Sequence, residues 1–338
     1  MNKLKLFNCK NVQKFLSENI ELTTKILDPK IYIVRINNTD VVIKFLLYRL
    51  SHIEYYLGLD KEYMMSTDAE IKIITVLQDI IQKNYTHSII RLLHTHICDN
   101  FTITPNDNCK INNPDYLLCS YQDDIATGKA LPKCAFIAME YCPLDLSVFI
   151  NKYVDTSFNY YMLKTILFQV IHALYIIKVI HPSFRHNDLH MGNVLLSVKP
   201  IVDKITYHKY TVNQKVYYVP YYGITAKICD FGFSTMDGIK TKASEDRATM
   251  YYRTNNDMLI ILNQIYEKCY MNHILIFNFV RNLLSKIEPN ESYNNIDIKR
   301  IRKIEHLIPT YEEMLTNGFT AFLKLPENGE ITHIFEPL

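Results

Sequence analysis

The chain has 338 residues, of which 48% are hydrophobic and 21% charged, with a formal net charge of +2. Such a composition builds an ordinary packed core, suits one or two compact units, and gives no basis for a nucleic-acid partner. Its eight cysteines are scattered, with no C-x-x-C pair and no histidine at metal-ligand spacing, which predicts reduced thiols and a cytoplasmic location.

In chain order, residues 1–8 lack the apolar stretch of a signal peptide. The first strand with a chemical handle is Asp40-Val41-Val42-Ile43-Lys44-Phe45. Residues 67–77 follow as an amphipathic helix, because Ile71, Ile74 and Leu77 recur at helical spacing. The stretch 98–133 is rich in Asn, Asp and Pro and predicts a polar loop between strands. Ala135-Phe136-Ile137-Ala138-Met139 is an apolar strand that stops at Glu140-Tyr141-Cys142-Pro143. The greasiest segment, 162–180, is interrupted by Lys164, Gln169, His172 and Lys178, so it reads as a buried helix and not as a membrane span. Two β-rich runs, 205–212 and 216–219, joined by Asn213-Gln214-Lys215, predict an extended hairpin. Apolar helices are expected from Asp257 to Leu262 and over 273–287 and 295–323. Within the last, Lys299-Arg300-Ile301-Arg302-Lys303 reads as a solvated helix face.

Two segments carry chemistry. In Arg185-His186-Asn187-Asp188-Leu189-His190-Met191-Gly192-Asn193 a carboxylate and an amide stand five residues apart, ahead of the apolar Val194-Leu195-Leu196. Aspartate can take the proton of an attacking hydroxyl, and asparagine can ligate a magnesium ion without competing as a base. In Lys227-Ile228-Cys229-Asp230-Phe231-Gly232 a strand ends on an acid, an aromatic and a glycine, and Asp230 can hold the metal ion that bridges two phosphates. In this order the pair points to phosphoryl transfer from ATP with Mg2+ or Mn2+.

On these motifs the chain resembles the eukaryotic-type protein kinase superfamily. Together with the hairpin they look like the divergent protein kinases encoded by large DNA viruses, and the D-L-H-x-G-N loop is similar to that of the haspin-like group. The resemblance implies an α+β, bilobal fold: a β-rich N-lobe over 1–139 with the polar insertion at about 98–133, a hinge at 140–143, and a mainly helical C-lobe over 144–338 with the hairpin inserted at about 198–223. It implies Asp188 as base, Lys44 as anchor for the α- and β-phosphates, and Glu70 as the partner of Lys44. Met139 becomes the gatekeeper of an adenine pocket, the backbone groups of Glu140 and Cys142 are left for the adenine edge, and Asn193 and Asp230 are the metal ligands. These groups are expected around one cleft, with Asp257 bracing the catalytic loop. A viral origin would place the protein in the host cytoplasm or the virion.

The departures from that pattern are specific. No glycine precedes Gly58, so the phosphate-covering loop falls on Ile26-Leu27-Asp28-Pro29-Lys30, where amides cannot approach phosphate as closely as glycine allows. Asn187 replaces the arginine that commonly reads a phosphate on the activation loop, which predicts activity without such phosphorylation. His190 stands where Ser/Thr kinases often carry lysine, no A-P-E triplet follows Gly232, and the long interval before Glu70 holds two rival acids, Glu54 and Glu62. Thr249-Met250-Tyr251-Tyr252-Arg253 bears only a faint likeness to a substrate-positioning loop.

Three functions stay open on sequence alone. The first is an ATP-dependent serine/threonine protein kinase, favoured over a tyrosine kinase because the residues after Asp188 are neither A-A-R nor R-A-A. The second is a small-molecule phosphotransferase of the aminoglycoside or choline kinase type, which shares H-N-D-L-H-x-G-N but not the D-F-G ending. The third is a pseudokinase scaffold, which gains from the missing glycines.

Overall fold

Alternation along Thr39–Arg49 (β3) decides how the first part of the chain is built. In the computed structural model, which describes residues 23–28, 31–36, 38–50, 63–101, 116–153, 157–200, 204–244, 256–269, 273–284 and 307–338, this strand lies at the middle of a five-stranded sheet. Its neighbours are Thr23–Asp28 (β1), Ile31–Ile36 (β2), Leu92–Asp99 (β4) and Ala130–Glu140 (β5), in the order β1-β2-β3-β5-β4, with every pair antiparallel. Successive side chains point to opposite faces. Val41, Ile43 and Phe45 therefore join Tyr32, Val34, Phe136 and Ala138 in one cluster. Leu46 and Tyr48 pack on the other face with Ala135 and Ile137, against Met65 and Ile71.

Ile71 belongs to the helix Ser66–Gln82 (α1), whose Ala69, Ile73, Ile74, Leu77 and Ile80 are buried at three- and four-residue intervals. Asp68 sits in its first turn, the end that favours negative charge. The stretch expected as a polar loop over 98–133 is corrected by the structure: Tyr116–Ala126 is a helix (α2). Tyr121 of that helix is wholly buried, and its hydroxyl accepts the Tyr48 N–H at 3.1 Å while donating to Leu131 O at 2.6 Å. The prediction of eight reduced thiols also needs correction, because Cys98 is disulfide-bonded, whereas Cys134, Cys142, Cys229 and Cys269 keep their thiols.

By internal packing the chain divides into two units, one of residues 1–75, 91–141 and 241–243, the other of residues 76–90, 142–240 and 244–338. The second unit is mainly helical, so the chain is α+β as the sequence implies. Its axis is Ser157–Ile180 (α4), preceded by the short strand Leu144–Asp145 (β6) and by Leu146–Tyr153 (α3). Helix α4 is long and apolar enough to cross a membrane, but 72% of its apolar window is buried inside the protein. Gln169, at its middle, donates to Ile224 O at 3.2 Å and accepts from Ala226 N at 2.8 Å, which ties the helix to Ile224–Ile228 (β10).

β10 pairs antiparallel with Val194–Val198 (β7), and β7 with β6. The expected hairpin is Thr206–Val212 (β8) and Lys215–Tyr221 (β9). Its turn is two residues, Asn213 (φ 42) and Gln214 (φ 66), whose left-handed backbones match a tight hairpin; Lys215 already belongs to β9. Asn256–Cys269 (α5), Ile274–Leu284 (α6) and Tyr311–Gly318 (α7, closed by a Thr310/Glu313 capping box) complete the described helices. The strand Ile331–Ile334 (β11), which the sequence reading did not anticipate, runs parallel to β8. The basic cluster at 299–303 and residues 249–253 lie outside the described residues.

Candidate active site

Alternation along β3 puts Lys44 on the same face as Leu46 and Tyr48, the face that carries the start of α1. Lys44 Nζ meets Glu70 Oε1 at 2.7 Å, with side chains only 15% and 7% exposed. Two further bonds fix this geometry: Tyr48 Oη donates to Asp68 Oδ1 at 2.5 Å, and Thr67 Oγ1 donates to Leu47 O at 3.2 Å. The helix is thus pinned to β3 through Thr67, Asp68 and Glu70, and a flexible ammonium is held in one place. Of the three acids that the sequence offered, Glu70 is the one on Lys44, and Glu54 and Glu62 lie outside the described residues. Burial first, then the bond to Asp68, pushes the Tyr48 hydroxyl well above its ordinary value.

At the end of β5, Met139 and Glu140 are half-buried. The Glu140 N–H donates to Arg91 O at 3.1 Å, while the Glu140 carboxylate accepts the Arg91 N–H at 2.8 Å. Cys142 is buried, at 8% exposure. Of the proposed phosphate-covering loop, Ile26 to Asp28 close β1, and residues 29 and 30 lie outside the described residues.

In the helical unit the register of β7 on β10 assembles the other candidates. Val194 pairs with Ile228, so the residue before β7 and the residue after β10 become neighbours. Asn193 O accordingly accepts the Cys229 N–H at 3.0 Å, and Asn193 Nδ2 donates to Asp188 O at 2.8 Å. With one edge of its planar amide held this way, Asn193 presents its Oδ1 from the opposite edge. Asp230 follows in the left-handed region at φ 66, exposed to solvent, and Asp188 is half-buried.

Both loops rest on a buried scaffold. Asp257, in the first turn of α5, accepts the His186 N–H on Oδ2 at 2.9 Å and the Asn187 N–H on Oδ1 at 3.0 Å, the bracing role that the sequence suggested. Burial raises the Asp257 carboxyl, while His186 and the two amide donors pull it back down. His186 Nε2 meets Cys229 O at 2.9 Å, and Arg185 and Thr235 exchange two backbone hydrogen bonds at 3.0 and 2.9 Å.

Asn187, in the place of the arginine, has φ 62, a conformation asparagine tolerates better than most residues. Its Nδ2 donates to Phe233 O at 2.9 Å, so an amide ties the segment after Gly232 directly to the catalytic loop. His190 explains its own neighbour: its Nδ1 accepts the Gly192 N–H at 3.1 Å, and a Cβ on Gly192 would stand 2.9 Å from the His190 ring. The D-L-H-x-G-N spacing is therefore a packing requirement as well as a chemical one. Gln264 of α5, which no sequence signal marked, accepts the Met191 N–H at 2.9 Å. Beside this loop opens a cavity of about 440 Å³ lined among others by Asp145, His190, Gly192, Gln264, Glu267 and Lys268.

The donor set suits a hard divalent cation, since Asp230 offers a carboxylate and Asn193 an amide oxygen. Among the described residues no cluster of three or more His, Cys, Asp or Glu forms an all-protein metal cage.

No family model matches the chain. Two chains of Acanthamoeba polyphaga mimivirus, both named as candidate serine/threonine-protein kinases, are similar to it. One is 32% identical over 248 residues, 58% of this chain and 59% of that one; the other is 33% identical over 99 residues, 28% of this chain and 21% of that one. The chain thus spans about three-fifths of the length of the first relative. A crystal structure of a kinase domain overlaps 86% of this chain and 90% of its own at 13% identity, with a TM-score of 0.42. That overlap is loose, and the fold class rests on the elements described above. Over those 248 residues the chain is similar to a protein named as a candidate serine/threonine-protein kinase, and this stretch of similarity stands beside the paired Lys44 and Glu70 and the register that joins Asn193 to Asp188 and Cys229.

Proposed function

We propose that the protein is an ATP-dependent serine/threonine protein kinase. The observation that carries this reading is Asn193, which is bonded at once to Asp188 O and, through its own carbonyl, to the amide next to Asp230. In this reading ATP with magnesium supplies the transferable phosphoryl group and screens its charge. Asp188 takes the proton of the acceptor hydroxyl, Asn193 and Asp230 hold the ion, and Lys44, steadied by Glu70, meets the phosphates. The cavity beside residues 190–192 supports it by leaving room for an acceptor side chain in the same unit as Asp188. A cytoplasmic location and a protein acceptor belong to the same proposal.

The glycine-poor start of the sheet favours a second reading, a nucleotide-binding scaffold with little transfer. Purified protein incubated with labelled ATP, magnesium and peptides carrying Ser, Thr or Tyr separates the two. Label on Ser or Thr is expected. Label only on a small alcohol such as choline or an aminoglycoside would replace the protein acceptor, and binding without transfer would leave the scaffold. Lys44→Met is expected to weaken nucleotide binding and to lower kcat/KM by about 10²-fold or more, since it removes a preorganised cation from the phosphate site. Titration calorimetry alongside the transfer assay reads both effects.

A further inference from the structure

The turn that follows α1 is held by residues 250 positions further along the chain. Asn84, left-handed at φ 57, donates through Nδ2 to Ile334 O at 2.9 Å, and its Oδ1 meets His333 Nε2 at 2.9 Å. Its own carbonyl accepts the Glu336 N–H at 3.0 Å. On the other side the same segment is tied to the hairpin, because β11 runs along β8 and Phe335 N donates to Lys209 O at 2.9 Å. Residues 331–336 therefore form a strap between the hairpin and the end of the helix that carries Glu70.

Three imidazoles crowd the strap. The ring centroids of His87 and His333 are 4.7 Å apart, and those of His208 and His333 5.5 Å. Phe335 packs against all three, at 5.0, 5.9 and 4.4 Å from His87, His208 and His333. The groups that face them come from every packed element: Asn84 and His87 from the turn, His208 from β8, Tyr221 of β9 stacked on His208 at 4.3 Å, and Lys199 from the loop after β7. Behind Phe335 lie Tyr210 and, from α4, the buried His172. The electrostatic neighbours of His208 are His333, His87 and Lys199, cations or potential cations all. The carboxylates of this stretch, Glu330 and Glu336, are exposed, and Glu330 is already paired with Lys204 at 3.1 Å. A proton taken up here meets repulsion on several sides.

We propose that residues 331–336 are an acid-released clasp on the turn that closes α1: neutral His208 and His333, packed with His87 around Phe335, hold it shut, and protonation of His208 and His333 opens it. Burial, followed by the neighbouring imidazoles and Lys199, takes His208 down to about 3, and burial followed by Lys199 lowers His333. In the open segment these histidines would titrate near their ordinary value of about 6.5. The sign follows: the open form binds more protons below that value, so the clasp is at full strength above about pH 6.5 and weakens steadily as the pH falls below it.

Hydrogen exchange read by mass spectrometry on the full chain, at pH 7.5 and pH 5.5 and corrected for intrinsic rates, tests this without reference to phosphoryl transfer. Peptides covering 84–90 and 331–336 are expected to lose protection about tenfold or more at the lower pH, while peptides from the middle of α4 keep theirs. The double variant His208→Phe/His333→Gln keeps a ring on Tyr221 and an amide on Asn84 but cannot titrate at those two positions, and its protection is expected to be the same at both pH values. Equal protection of the wild-type strap at both pH values overturns the clasp, and this comparison needs no variant. Equal acid loosening in wild type and double variant overturns the role of the histidines.

Discussion

Asp188→Ala is expected to lower kcat by about 10²–10⁴-fold, the range for loss of a positioned general base. Nucleotide binding should survive, because the groups proposed to hold the nucleotide are elsewhere: Lys44 is fixed by Glu70, and Asp230 follows a β10 whose pairing with β7 does not involve the Asp188 side chain. The Asp188 backbone carbonyl, which accepts from Asn193, is retained in the variant. The measurement is a pair: transfer of labelled phosphate, and the rise in Tm on adding ATP with magnesium. Lost transfer with an unchanged Tm rise agrees with Asp188 as base. Undiminished transfer removes it from that role.

The second large effect concerns Asp257. Its two carboxylate oxygens serve two buried amides, those of His186 and Asn187, immediately before Asp188. Asp257→Ala strands both donors in a place from which water is excluded, at a cost of about 1–3 kcal/mol each. A loss of about 3 kcal/mol corresponds to roughly 6–12 °C in Tm for a domain of this class. The variant should also transfer phosphate poorly even at temperatures where it is folded, because the loop carrying Asp188 is no longer fixed. Differential scanning calorimetry with a low-temperature activity assay checks both, and a variant as stable as wild type would show that the amides had found other partners.

The parts of the site legible in the sequence were those in which chemistry demands a residue type at a fixed spacing. Asp188 and Asn193 are separated by one short turn, and the hydrogen bond between them is local. Asp257 was picked out by the kinase resemblance, since an acid at the start of an apolar helix is by itself ordinary, and the sequence does not say which amides it serves. Glu70 was set apart from Glu54 and Glu62 only by the kinase resemblance, and its carboxylate stands 2.7 Å from Lys44 Nζ.

What remained hidden was long-range or masked by composition. Helix α2 escaped notice because Asp, Asn and Pro dominate the surrounding stretch, whereas the residue that anchors it, Tyr121, works through one hydroxyl bonded to the backbone of two strands. Strand β11 is four residues long and its partner strand lies far away in sequence, with Thr332 and Thr206 bonded across 126 positions, so no local propensity could name it. Gln169 looked like an ordinary interruption of an apolar helix and Gln264 carried no signal, and only the fold shows that they satisfy backbone groups of β10 and of the loop carrying Asp188.

The parallel pairing of β11 with β8 has a consequence for biosynthesis. A ribosome delivers the hairpin more than a hundred residues before the strand that covers its outer side, since Tyr207 pairs with Ile331. Throughout that interval the nascent polypeptide carries an unprotected strand edge rich in Tyr and Val, the kind of surface that recruits other chains. Messages truncated before codon 331 should therefore yield products that depend on chaperones to stay dispersed.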